Sequence, residues 1–171
     1  SADLVLAIGP GAVLTEGAVS GTARIVDSAA GARATLNLTA RNAALRGASS
    51  LRFGAATITA DGPLERLPIA IDGRGAYGQS RWRFKGGGFF AQRGDNSGLA
   101  LEGEGQFGSA AFRTLEAARI GFGGGQRFAD LKLEIGGGRA DITARADGEA
   151  AVIRASLTGV SLGALNEDLA G

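Results

Sequence analysis

Glu102 and Glu104 stand two residues apart in the segment from Leu99 to Phe107. In an extended chain that is about 6.6 Å along the strand, near the carboxyl separation of an inverting glycosidase. Such chemistry needs one acid buried, with its proton held to higher pH. Alternation puts both glutamates on one polar strand face, so the pair reads as solvated. Two runs, Gly73-Arg74-Gly75-Ala76-Tyr77-Gly78 and Gly103-Glu104-Gly105-Gln106-Phe107-Gly108, match the dinucleotide-binding spacing. Neither is followed by the helix whose N-terminus would hold a pyrophosphate, so both read as glycine-rich strand. Asn37-Leu38-Thr39 is a formal glycosylation sequon and reads as the polar side of a strand. Asp95, Asn96 and Ser97 offer too few ligands for calcium and read as a turn. Arg81, Arg83 and Lys85 around Trp82 form the most basic strand, with the chemistry to grip a phosphate. Alternation sends charges and rings to opposite faces, which favours ordinary strand anatomy. Tyr77, Trp82, Phe89 and Phe90 would make a sugar platform only if they shared a surface, and Trp82 faces the apolar side.

The chain has no His, Cys or Met among its 171 residues. That removes imidazole bases, thiolate nucleophiles and the usual zinc, haem and iron–sulfur ligand sets. The expected protein is therefore not an enzyme and holds no cofactor or metal. Eighteen basic residues, all Arg but Lys85 and Lys132, face seventeen acidic ones for a net charge of +1. No global field draws nucleic acid to such a chain. The apolar runs are too short for a membrane-spanning helix or a signal segment. The missing initiator Met reads as a segment of a longer protein, and the absence of thiols suits an oxidising envelope space.

Almost every stretch has period two. From Arg33 to Arg41, Ala34, Leu36, Leu38 and Ala40 fall on one face and Arg33, Thr35, Asn37, Thr39 and Arg41 on the other, the signature of a half-buried strand. The same reading gives strands at Asp3 to Ile8, Val19 to Val26, Leu51 to Asp61 and Leu67 to Arg74. It continues at Arg81 to Lys85, Leu99 to Phe107, Ala118 to Phe122, Ala129 to Ile135, Ala140 to Ala146 and Ile153 to Leu157. Within Leu51 to Asp61 the apolar face switches near Gly54 and Ala55, as at a β-bulge. Thirty glycines supply links such as Gly86-Gly87-Gly88, Gly94-Asp95-Asn96, Gly123-Gly124-Gly125 and Gly136-Gly137-Gly138. Links this short make antiparallel hairpins. Ser161 to Leu169 spaces Leu162, Leu165 and Leu169 as a short helix. Thr39 to Ser49 is a weaker helical candidate that a strand and loop would explain equally.

The expected architecture is one all-β domain over residues 1–171, an antiparallel meander with a short helix near its C-terminus. Its inward positions are small and uniform, which favours a folded-over sheet with an open apolar groove, a β-taco; the alternative is a closed β-sandwich. The candidate groove lining is Leu36, Leu38, Trp82, Phe84, Ile120, Phe122, Leu131, Leu133, Ile135 and Ile142.

The C-terminal third carries a resemblance. The run from Phe112-Arg113-Thr114-Leu115-Glu116 to Gly123-Gly124-Gly125, the strands around Leu131 and Ile142, and the ending Leu157-Thr158-Gly159-Val160-Ser161-Leu162-Gly163-Ala164-Leu165-Asn166-Glu167-Asp168-Leu169-Ala170-Gly171 resemble repeats of the TamB family. That family belongs to the AsmA-like, bridge-like lipid-transfer group. Over the rest of the chain only strand pattern and composition agree. The resemblance implies a periplasmic β-taco in a parent anchored in the inner membrane, carrying phospholipid along an apolar groove toward the outer membrane. It also implies a TamA-like outer-membrane partner acting through the full-length parent. The alternatives are a scaffold or chaperone for outer-membrane β-barrel or autotransporter assembly, and a structural or adhesin-type repeat. Open sheet edges would favour self-association.

Overall fold

Alternating strands joined by short links satisfy their backbone hydrogen bonds by pairing edge to edge with the next strand, and that is what the chain does over a long distance. The computed structural model describes residues 2–11, 14–29, 31–45, 51–93, 96–123, 126–147 and 150–160. Twelve strands form one sheet: β1 (Ala2–Ile8), β2 (Leu14–Ser28), β3 (Gly31–Leu45), β4 (Leu51–Pro63), β5 (Leu67–Tyr77), β6 (Ser80–Arg93), β7 (Asn96–Phe107), β8 (Ala110–Thr114), β9 (Ala118–Gly123), β10 (Gln126–Ile135), β11 (Gly138–Asp147) and β12 (Ala150–Thr158). Each pairs antiparallel with the next, except that β8 and β9 share one place between β7 and β10. A 3-10 turn at Leu64–Arg66 joins β4 to β5. The meander expected from the short links is the observed topology.

Three irregularities shape the sheet. In β4, Phe53 pairs with Gly75 while Ala55 pairs with Arg74, so Gly54 is an extra residue. One inserted residue reverses side-chain parity, which returns both Phe53 and Ala56 to the apolar face. Gly54 lies level with Asn42 of β3, a non-glycine residue at φ 47°, and with Gly17 of β2 at φ 75°. These positions form a crease across β2, β3 and β4. Between β8 and β9, residues 114–117 span the space opposite Glu102 and Gly103, two residues too many. Two extra residues preserve parity, so Phe112 and Ile120 stay on one face. Thr114 repairs the gap: its Oγ1 accepts from the Gly103 N–H at 3.0 Å and donates to the Gly103 carbonyl at 3.3 Å.

The glycine reading needs correction in one place. Gly86, Gly87 and Gly88 are not a link but lie inside β6, paired with Ile71, Ala70 and Ile69. Their lack of side chains is used for close packing. A Cβ on Gly103, opposite Gly86, would stand 2.6 Å from the Phe84 ring, which lies flat over both glycines. The two G-x-G-x-x-G runs are hairpins: Gly78 and Gly108, at φ 60° and 56°, open the two-residue turns that join β5 to β6 and β7 to β8. Positive φ is what such turns demand. Residues 39–45 belong to β3 rather than to a helix, held by pairing of Ala43 with Phe53 and Ala44 with Arg52. The helix expected at Ser161 to Leu169 lies outside the described residues, as does Asp95.

Little of the chain is sealed. Among the described residues the only large buried apolar side chains are Leu14 and Leu67. Leu67 joins Ala34 and Ala60, with Leu36, Leu64, Ile69 and Phe90 around them, in a small core under the 3-10 turn. The accessible surface is 11115 Å², against roughly 7,800 Å² for a compact monomer of this mass. The protein is a broad single sheet.

Candidate functional site: an uncharged sheet face

Register places the candidate lining residues on one side of the sheet. Directly opposed residues in an antiparallel pair share a face, and a continuous row can be followed across the pairings. Leu6 faces Gly21, then come Leu38, Ile58, Ile71, Gly86 and Gly103. Thr114, Leu133, Ala140 and Leu157 complete it. At ~4.8 Å per strand the row runs about 48 Å along the sheet. Parallel rows hold Trp82 with Phe107, Phe84 with Phe112 across Gly105, Leu99 with Ile120, and Leu131 with Ile142. Ile135 pairs with Phe112, and Phe122, two residues on from Ile120 in the same strand, lies on the same side.

Charge is confined to the ends of this face. Parity puts only Asp27 and Arg127 on it among the described charged residues, each near a hairpin. Most of the lining is half-buried, and Phe122 is 45% exposed. Leu36 differs: it packs into the small core under the 3-10 turn, so its part of the face is already filled. The aromatic rings lie down over glycines instead of standing up. Phe53 meets Trp82 edge-on at 5.3 Å across Gly75, and Phe90 stacks with Phe122 at 6.5 Å. The Trp82 indole N–H is buried on this side without an acceptor among the described residues.

Sequence reasoning missed several members of the same face. Phe112 escaped because its five-residue strand passed for an Ala/Phe stretch. Phe53 escaped because the bulge hides its phase. Ile58, Ile69 and Ile71 were in strands read correctly, and only register shows that they continue the row.

The opposite face carries the charge. Asp72, Lys85, Glu104, Arg113, Glu134 and Arg139 form one row across successive strands, alternating in sign. Arg113 donates two hydrogen bonds to Glu134, the shorter at 2.6 Å. Arg139 grips Asp141 at 2.9 and 3.0 Å. This hydrogen bond, opposed by some desolvation and reinforced by the charges of Arg139 and Lys132, holds the Asp141 carboxyl below its ordinary range. Asp130 Oδ1 lies 2.7 Å from Arg145 Nη2, close enough for an ion pair but off the line of a hydrogen bond. These pairs are exposed and screened by water, so each adds little to stability.

The enzymatic and sugar-binding groupings do not assemble. Glu102 and Glu104 are both exposed on the polar face. Phe89 turns to that face, where the Arg66 guanidinium sits 4.0 Å over its ring, while Tyr77 packs against Phe107. Among the described residues no group of three or more His, Cys, Asp or Glu side chains could hold a metal ion, and no helix is long and apolar enough to cross a membrane. No family model matches this chain, and no curated protein or solved structure matches it significantly.

Proposed function

We propose that this chain is a periplasmic segment of a TamB-like, bridge-like lipid-transfer protein, non-enzymatic, whose uncharged sheet face receives phospholipid acyl chains on their way between the inner and outer membranes. The observation that carries the reading is the row from Leu6 to Leu157, which crosses the whole sheet without a charged side chain. An acyl chain of about 16 carbons exposed to water costs on the order of 13 kcal/mol at ~0.8 kcal/mol per CH₂. A surface that covers it along its path removes most of that barrier, and needs no catalytic residue. Exposed apolar surface on this scale marks an interaction site.

The test is native mass spectrometry with lipid extraction on the segment purified from a bacterial periplasm. Phospholipid should co-purify with the parent sequence and be lost from a folded Leu133→Asp/Ile135→Asp variant. Lipid-free protein in both preparations would sink the conduit.

A second reading draws on the outer strands. Val5 of β1 is 80% exposed and Ile153 of β12 is 72% exposed. No described strand pairs with the outer edge of either. Such edges suit a scaffold that adds strands of a client β-barrel.

A further inference from the structure

Beside Gly17, Asn42 and Gly54 the residues on the polar face differ in charge from the rest of that face. A recess of about 740 Å³ opens there, lined by Arg52, Arg74, Arg81 and Arg83 together with Glu16, Asn42, Phe53 and Trp82. The pairings explain the gathering. One row runs Glu16, Ala44, Arg52, Ala76, Arg81, and the next runs Arg41, Ala55, Arg74, Arg83, Gln106. Sequence alone shows Arg81 and Arg83 on one strand; register adds Arg74 directly opposite Arg83, and Arg52 one strand further.

The neighbouring row of alternating sign shows how this sheet ordinarily balances charge. Here that rule is broken. Arg74 and Arg83 are like charges placed directly across a strand pair, an arrangement that destabilises a sheet. None of Arg52, Arg74, Arg81 and Arg83 forms an ion pair with a described residue, and Glu16 pairs with none of them. Four guanidinium groups around one recess, with a single carboxylate at the edge, leave a positive site on a chain whose net charge is only +1.

We infer that this recess is an anion site for phosphate groups, presented as phosphate esters or as the headgroups of anionic phospholipid. The site consists only of arginine among its cations, and the guanidinium fork matches two phosphate oxygens at once. A bound phosphate offsets the repulsion between Arg74 and Arg83, neither of which has an ion-pair partner among the described residues. Parity puts the four arginines on the face opposite the apolar row, so a phosphate they hold is not the headgroup of a chain lying on that row. The balanced charge around it argues against a nucleic-acid track, which needs a basic stripe.

The experiment uses the full chain, as the parent sequence, as Arg74→Gln/Arg83→Gln, and as Arg24→Gln/Arg33→Gln. The last removes equal charge from arginines paired with Asp3 and Asp61. Each is titrated at fixed ionic strength with inorganic phosphate, with glycerol 3-phosphate, and with vesicles of phosphatidylcholine with or without phosphatidylglycerol. The recess variant loses two guanidinium groups and should bind at least about tenfold more weakly, the factor that one charge-assisted hydrogen bond alone supplies, and the control should bind as the parent does. Without phosphate, the recess variant should melt no lower than the parent, which separates lost binding from lost folding. Binding of the soluble esters identifies a free phosphate ligand; binding only of phosphatidylglycerol vesicles identifies a lipid surface. Equal weakening in both variants, no binding of any probe, or preference for a single-stranded DNA oligomer over the phosphate probes would overturn the inference.

Discussion

The ring of Phe84 on β6 stacks on that of Phe112 on β8, centroids 6.4 Å apart and planes 8° from parallel, across the one strand that separates them. What lies between is Gly105, paired with both. A Cβ there would stand 2.5 Å from the Phe112 ring. The glycines of β6 and β7 are thus seats, and the rings they seat cover backbone that would otherwise face water. A sheet without a second layer gains cohesion this way while its apolar face stays thin.

Gly105→Val should therefore cost roughly 1–3 kcal/mol, the usual penalty of overpacking. Urea unfolding measures the loss, and near-UV circular dichroism should report displaced phenylalanines. Unchanged stability would show that the rings can lie elsewhere at no cost.

Ile58 and Thr59 are consecutive residues of β4 on opposite faces, Ile58 between Leu38 and Ile71 and Thr59 between Asn37 and Ala70. If the apolar row is the acyl path, Ile58→Asp should abolish binding of a fluorescent fatty acid and Thr59→Asp should leave it within about twofold, a sub-kcal/mol change typical of an exposed site. Loss in both variants, or in neither, would count against the row.

How much of this was legible in the sequence depends on the range of the interaction. Strand phase is local, so the alternation around Leu36, Leu131 and Ile142 was readable, as was the face switch at Gly54. The Gly86 to Gly88 run misled because a glycine inside a strand looks like a turn until the ring that covers it is known. Phe84 is that ring, and its role depends on Gly103 in the next strand. The opposition of Arg74 and Arg83 was equally invisible, since it depends on how β5 meets β6. Register, a property of pairs, carried the site information that one strand at a time could not.

Acid should report on Asp141. Arg139 donates the hydrogen bond that chiefly lowers its pKa below the ordinary 3.8, so the folded value lies under the unfolded one. The associated stability is fully present above the unfolded value and is lost as pH falls through the folded value. Carbon NMR of the carboxyl should give a midpoint below 3.8, rising toward it in Arg139→Gln. A midpoint that does not move between the two proteins would mean the contact is absent in solution.

The outer strands give the last prediction. Val5 projects from the polar face of β1 and Ile153 from the apolar face of β12, and both are largely exposed. An apolar, unpaired edge strand is a template for another strand, and lysine at such an edge blocks that pairing. Sedimentation velocity should show concentration-dependent self-association of the parent chain, reduced in Val5→Lys/Ile153→Lys. Thr59→Lys, in the middle of the sheet, should associate as the parent does, because its strand is already paired on both sides. If all three proteins remain monomeric across the concentration range, the edges are closed in solution and the strand-adding scaffold loses its support, while the acyl path across the sheet face is untouched.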